Sequence, residues 1–181
     1  MSKQSWVFGY GSLIWNPSFD FINKRPAQVH GYTRRFWQGS HDHRGTPEAP
    51  GRVVTLVPAV GESCMGMAYL IDAEVVEAVF EHLDYREKNG YERFEENFYF
   101  QDDTTAKGLI YIAPQDNFAY LGDAPQTEIA AQINASVGPS GLNRDYLLEL
   151  AEALRGLGAD DDHVFELESL VLALNDRGDA R

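Results

Sequence analysis

Cysteine is almost absent. Cys64 is the single one in 181 residues, and one thiol can build neither a disulfide framework nor a cysteine-rich zinc site. Long apolar runs are missing too. Nowhere do about 18 apolar residues follow one another, which excludes an ordinary transmembrane helix. The short run Trp6-Val7-Phe8 is interrupted at once by Gly9-Tyr10-Gly11-Ser12, so residues 1–15 hold no signal-peptide core. These absences set the expectation of a cytoplasmic protein in a reducing compartment, with no membrane partner. One domain spanning residues 1–181 is expected, because no repeat, low-complexity tract or linker divides the chain.

Positive charge is scarce as well. Fifteen Lys/Arg against 28 Asp/Glu leave a net charge of −13, so no nucleic-acid partner is expected. The distribution is uneven. Residues 1–60 hold seven Lys/Arg (Lys3, Lys24, Arg25, Arg34, Arg35, Arg44, Arg52) and three acids (Asp20, Asp42, Glu48), a local surplus of +4. Acids on the later helices serve solubility, and the N-terminal surplus suits a small anionic ligand.

What is present is a change of period. Apolar runs at 6–10, 27–37, 52–57 and 64–71 read as strands separated by Gly/Pro/Asn-rich loops. A helix follows from Asp72 as N-cap to about Tyr85, with Val75, Val79 and Leu83 on one stripe and Val76 and Phe80 beside them. Strands return at 94–100 and 109–112. Pro125 opens a helix carrying Ile129, Ile133 and Val137. Asn143 caps a second with Leu147, Leu150, Ala151 and Leu154 inward, and a third begins near Asp162 with Leu167, Leu170, Val171 and Leu174. Strands with one inserted helix and then segregated helices describe an α+β fold, with mixed strands closing toward a barrel.

Candidate chemistry lies in five places. The turn Gly9-Tyr10-Gly11-Ser12-Leu13 lacks the third glycine of a dinucleotide fingerprint, since Ile14 stands there, and Asn16-Pro17 forbids the helix that should follow. Its closely spaced N–H groups can cradle a carboxylate or oxyanion, although alone it is only a tight turn at a strand end. His41-Asp42-His43 has no third ligand at metal-binding spacing and reads as polar loop, so no metal is assigned. Cys64, in an apolar run, reads as a buried inert thiol. Asp84 and Glu87 stand at a helix C-terminus, where the dipole disfavours carboxylates. There they are either solvated end charges neutralised by Arg86 and Lys88, or candidates for a general base of raised pKa. Asp160-Asp161-Asp162 reads as a solvated loop.

Taken together, Trp6-Val7-Phe8-Gly9-Tyr10-Gly11-Ser12-Leu13-Ile14-Trp15, Arg34-Arg35-Phe36-Trp37-Gln38-Gly39-Ser40, Arg86-Glu87-Lys88-Asn89-Gly90-Tyr91 and Tyr120-Leu121-Gly122-Asp123-Ala124-Pro125 are specific in their joint order. By these stretches the chain resembles the ChaC family of glutathione-specific γ-glutamylcyclotransferases. The resemblance implies a γ-glutamylcyclotransferase-like mixed β-barrel with one inserted helix and C-terminal helices. It places the catalytic glutamate on Glu87 and the substrate loop on Phe8, Gly9, Tyr10, Gly11, Ser12 and Leu13. A tyrosine near the start of a late helix falls on Tyr146. Arg52 is added from the charge distribution alone, as a cation for substrate carboxylates.

The implied reaction releases 5-oxoproline and cysteinylglycine from glutathione without a cofactor, because the substrate brings its own amine nucleophile. Two other readings stay open from the residues: a cyclotransferase for γ-glutamyl amino acids or γ-glutamylamines, and a non-catalytic small-anion-binding module built on the glycine turn.

Overall fold

A computed structural model describes residues 3–178. Five strands form a closed barrel in the order β1-β3-β2-β4-β5. They are β1 (Ser5–Gly9), β2 (Asn23–Ser40), β3 (Gly51–Ile71), β4 (Glu92–Phe100) and β5 (Thr105–Ile112). Every strand contact is antiparallel except the closing one, where β1 lies parallel to β5 with Val7 opposite Leu109. Alternation of side chains places Phe8, Val29, Phe36, Val54, Leu56, Phe98 and Ile110 in the buried core. Each such side chain contributes about 1.5–3 kcal/mol relative to exposure.

The strands run longer than their apolar patterns. The runs at 52–57 and 64–71 are one strand, because ladder pairing with β2 continues through Pro58 opposite Tyr32. Tertiary pairing here overrides a Pro/Gly break in the pattern. Helix α1 (Val76–Arg86) starts later than expected. Asp72 instead closes a turn, its Oδ1 accepting the Glu74 N–H at 2.9 Å, and Val76 rather than the exposed Val75 joins Val79 and Leu83 against β1 and β5.

The remaining helices, α2 (Gln126–Ala135), α3 (Asn143–Gly156) and α4 (Asp162–Gly178), pack together through Ile129, Ile133, Leu147, Leu150, Leu154, Val164, Leu167 and Val171. A two-residue pair, β6 (Val137–Gly138) and β7 (Gly141–Leu142), joins α2 to α3. Val137 therefore leaves the helix and is exposed, and so is Leu174. Asn143 is not a cap. It is fully buried, accepting the Arg52 N–H and donating to the Arg52 carbonyl, both at 2.8 Å. No helix among the described residues is long and apolar enough to cross a membrane.

Two contacts tie the start of α4 to the barrel. Asp161 is not a solvated acid: its Oδ2 lies 2.7 Å from Nη1 of the buried Arg34, and its Oδ1 accepts the Val164 N–H at 3.0 Å to cap α4. Arg34 also donates to the Met65 carbonyl and, at 2.8 Å, to that of Tyr10. The second contact answers a bulge. The β2–β3 register slips between Arg35 and Gln38, which takes the Phe36 N–H out of the ladder. His163 Nε2 accepts it at 2.9 Å.

Only a neutral His163 can accept that hydrogen, and burial pushes its pKa down to about 4 from 6.5. Above pH 6.5 folded and unfolded chains are both neutral there. As pH falls toward 4, only the unfolded chain gains the proton, so stability is lost over that window. The loss is on the order of 2–3 kcal/mol. Urea unfolding across pH 4–7 is expected to show this slope, and His163→Gln, whose side-chain oxygen can accept the same hydrogen, is expected to flatten it.

Candidate active site

β1 ends at Gly9, and the chain turns through one 3-10 turn, Ser12–Ile14, before leaving the barrel. The first hydrogen bond of this turn runs from Ile14 N to Gly11 O at 3.0 Å. The N–H groups of Gly11, Ser12 and Leu13 precede it and are left unused by the turn itself. Gly11 has a negative φ of −126°, and the space around it is short. A Cβ there would sit 2.8 Å from the Tyr146 hydroxyl and 2.9 Å from Val54 Cγ2.

The turn opens onto a cavity of about 320 Å³ that brings together Phe8, Gly9, Tyr10, Gly11, Ser12, Leu13, Glu87, Tyr91, Tyr111 and Tyr146. Glu87 reaches it because it is the C-cap of α1, its N–H on the Leu83 carbonyl at 2.8 Å. The preceding Arg86 is not a solvated end charge. Its guanidinium donates to Ser12 Oγ (2.8 Å), Ser18 Oγ (2.7 Å) and the Asn16 carbonyl (3.1 Å), tying the helix end to the glycine turn.

That arrangement decides the state of Glu87. Burial raises its pKa, Asp42 raises it further, and Arg86 and His43 pull it down. Burial wins because Arg86 Nε stays 3.6 Å from Glu87 Oε1, too far for a hydrogen bond, while its other donors are engaged elsewhere. The Glu87 side chain is 19% exposed, so the carboxyl is accessible yet poorly hydrated.

Phenols surround it. Tyr10 donates to the Tyr111 carbonyl at 2.6 Å and Tyr91 to the Val54 carbonyl at 2.7 Å. Tyr146, fourth residue of α3, accepts the Val54 N–H at 3.4 Å. Its ring is wedged edge-on against Trp15 and Phe36, with centroids 5.5 and 5.9 Å away. Burial first, and the nearby Glu87 carboxylate, raise all three phenols, Tyr146 to about 12. They remain neutral, with the hydrogens of Tyr10 and Tyr91 committed to those carbonyls.

Arg52 is not brought to this site. Its buried guanidinium donates to Gln132 Oε1 (2.7 Å) and to the carbonyls of Phe36 (2.9 Å) and Gly122 (3.0 Å), clasping α2 and a loop to the barrel. A uniform +4 over 60 residues says nothing about which arginine is buried. Arg44 lines the cavity instead, with Asp42, His43 and Ser140. His43 Nδ1 lies 3.1 Å from Ser140 Oγ, whereas His41 turns away to face Phe118 at 6.3 Å between rings. Asp84, one turn before Glu87, accepts the Tyr111 hydroxyl at 2.7 Å and pairs with Arg93 at 3.2 Å.

Tyr91 and Tyr111 had no role in the sequence reading. The only signal for Tyr91 is its place four residues after Glu87, and strand alternation in β5 carries none for Tyr111.

Comparison with solved structures identifies the fold as that of the γ-glutamylcyclotransferases. A crystal structure of a γ-glutamylcyclotransferase specific to glutathione from yeast superposes with a TM-score of 0.90, covering 96% of this chain and 97% of that one at 31% identity. A further γ-glutamylcyclotransferase structure, 13% identical with a TM-score of 0.56, shares the fold alone. Within this fold the chain belongs to the ChaC-like protein family, whose profile matches residues 5–174. It is 47% identical to γ-glutamylcyclotransferase 2-3 of Arabidopsis thaliana, over 92% of this chain and 87% of that protein. It is 45% identical to human glutathione-specific γ-glutamylcyclotransferase 1, over 92% and 78%.

The raised pKa of Glu87 has a thermodynamic sign. Below the ordinary value of 4.5 both folded and unfolded carboxyls are protonated and no penalty exists. As pH rises through the higher folded pKa, the unfolded chain ionises more readily and stability falls. Glu87→Gln is therefore expected to melt higher than the unaltered protein at pH 7 and together with it at pH 4, as read by thermal denaturation.

Proposed function

We propose that this chain is a lyase that cleaves reduced glutathione to 5-oxo-L-proline and L-cysteinylglycine, with Glu87 as its general base and acid. The observation that carries the reading is the poorly hydrated Glu87 carboxyl in one cavity with the glycine turn, in a chain of the ChaC-like family. The human and yeast relatives named as glutathione-specific support this substrate. The cavity volume lies within the roughly 300–1,000 Å³ of small-molecule sites.

In the reaction the γ-glutamyl α-amine attacks its own side-chain carbonyl. A C–N bond forms to close the five-membered lactam, and the amide C–N bond to cysteine breaks. At neutral pH that α-amine is mostly protonated, so a base removes a proton first. Glu87 accepts it, favoured by a pKa above the usual carboxylate value, and returns it to the departing cysteinyl nitrogen; the second proton, shed by the attacking nitrogen as the lactam closes, follows the same path, so cysteinylglycine leaves as its ammonium form. One carboxyl serves both steps.

The N–H groups of Gly11, Ser12 and Leu13 hold the glutamyl α-carboxylate or the developing oxyanion. The Tyr146 hydroxyl, beside Gly11 and with its own hydrogen left to donate, supplies a further donor. Fixing the flexible γ-glutamyl arm in its cyclising conformation supplies much of the rest. Substrate and protein provide every reacting group, so no cofactor enters the scheme, and the reading places the enzyme in the cytoplasm, where glutathione is reduced.

Assay of 5-oxoproline by mass spectrometry, without added metal or nucleotide and with γ-glutamyl-alanine in parallel, tests the reading. Release from glutathione but not from γ-glutamyl-alanine is expected; the reverse would make the chain a γ-glutamyl amino acid cyclotransferase. Glu87→Gln is expected to lower turnover by about 10²–10⁴-fold, the usual magnitude of acid/base loss. Asp84→Asn, which alters a carboxylate held by Tyr111 and Arg93 outside the cavity lining, is expected to keep most activity. Near-normal turnover by Glu87→Gln would mean that another group is the base. Gly11→Val, which drives a branched side chain into Tyr146 and Val54, is expected to abolish turnover, and a fully active variant would show the turn to be structural only.

A further inference from the structure

Glu87 stands at the edge of its helix, tied back to it by its own N–H on the Leu83 carbonyl at 2.8 Å. α1 ends at Arg86, and residues 87–90 form a turn, a place where helices fray. Yet the turn is moored from the far side. Gln38 Nε2, on the last part of β2, donates to the Asn89 carbonyl at 2.8 Å. The Asn89 side chain in turn donates to the Gly39 carbonyl, also at 2.8 Å.

Gln38 is fully buried, which is costly for an amide unless its groups are paired. They are. Gln38 Nε2 donates to Asn117 Oδ1 at 3.0 Å and Asn117 Nδ2 donates back to Gln38 Oε1 at 2.9 Å, two amides joined reciprocally. Asn117 is fixed by the Pro114 carbonyl at 2.6 Å and the Ala119 N–H at 2.8 Å. Its loop is stitched to β2 by Gly39 N to Ala119 O and Leu121 N to Trp37 O, both 2.8 Å. Gly90 closes the joint: its φ is +93°, and a Cβ there would meet Asn117 Oδ1 at 2.2 Å and Gln38 Nε2 at 2.7 Å.

An apolar side chain would fill the position of Gln38 with no polar group to satisfy. What the amide adds is a direct link from β2 to the Asn89 carbonyl, in the turn two residues beyond Glu87, with Asn117 bracing the amide. We propose that Gln38, braced by Asn117, is a positioning residue that holds the Glu87 turn so that its carboxyl faces the glycine turn. The proposal rests on the reading of Glu87 as the acid/base. Arg86 ties the neighbouring helix end to Ser12 and Ser18, so the segment that carries the reacting group has an attachment before it and another after it. Displacement of such a group by about 1 Å is enough to cost about 10²-fold in rate.

Gln38→Met keeps the length of the side chain and removes its donors and acceptor. With reduced glutathione, kcat is expected to fall by roughly 10–100-fold while KM stays within about twofold, because residues 9–13 and Tyr146 are untouched. The acid limb of the rate profile is expected to move to lower pH as the carboxyl gains water. Arg86, His43, Asp42 and the phenols of Tyr10, Tyr91 and Tyr146 still face it, so the movement reports its hydration. Gly90→Ala retains Gln38 but displaces the turn, and the same signature is expected. It decides the matter alone if Gln38→Met does not fold.

A substrate-free reading separates the two proposals. Carbon-13 NMR titration of the Glu87 carboxyl, assigned with Glu87→Gln, is expected to show its pKa falling in either variant. An unchanged carboxyl pKa, a lower melting temperature with normal kcat, or a raised KM with normal kcat would each overturn the positioning role. Failure of the unaltered protein to release 5-oxoproline would instead overturn the proposed reaction.

Discussion

Glu87 stands where two forces oppose its charge. The carbonyls at the end of α1 point their negative ends toward it, and the cavity withholds water from it. A full salt bridge would cancel both effects and leave an inert, permanently ionised carboxylate. The neighbouring arginine does not provide one, because its donors are drawn away to Ser12, Ser18 and the Asn16 carbonyl. The same side chain that could have quenched the carboxyl therefore builds the wall opposite it. Binding turn and reacting group are aligned by one guanidinium, and the partial relief it offers at 3.6 Å keeps the carboxyl titratable.

The barrel makes this geometry inexpensive to maintain. β1 lies between β3 and β5, hydrogen-bonded on both sides, so the glycine turn springs from a strand with no free edge. β3 supplies Val54, whose backbone meets two of the phenols. The helices then act as a clamp: α3 carries Tyr146 inward, and Arg52 and Asn143 pin α2 and α3 against the start of β3.

Much of this was legible in the chain. Period-two runs located every barrel strand, period 3.6 located the helices, and the glycine turn and Glu87 stood out through local chemistry joined to the family resemblance. Three of the errors share one cause. Arg52, Asp161 and Asn143 look like a ligand-facing cation, a solvated acid and a helix cap, because each type usually plays that part locally. Each is instead engaged by a partner far away in sequence: Gln132 for Arg52, Arg34 for Asp161, and the Arg52 backbone for Asn143. Polar residues recruited across the fold leave no periodicity behind. Val75 failed differently: the helix starts only at Val76, so Val75 lies outside it and does not join the stripe that Val79 and Leu83 keep. The pairing of Gln38 with Asn117 lies between these cases, two amides whose spacing of 79 residues is unreadable until the strands are closed.

The pairing of the buried Arg34 with Asp161 has a consequence for recombination between relatives. Asp161 begins α4, and Arg34 passes its hold on to the Tyr10 carbonyl, so the last helix and the glycine turn are inherited as one unit. A chimera with its crossover between α3 and α4 inherits residues 34 and 161 from different parents. Where either parent lacks the matching charge, the hybrid keeps an unpaired ion in its interior, an error that costs about 3–5 kcal/mol. The defect would surface at Tyr10, in a segment taken whole from the other parent and unaltered in sequence.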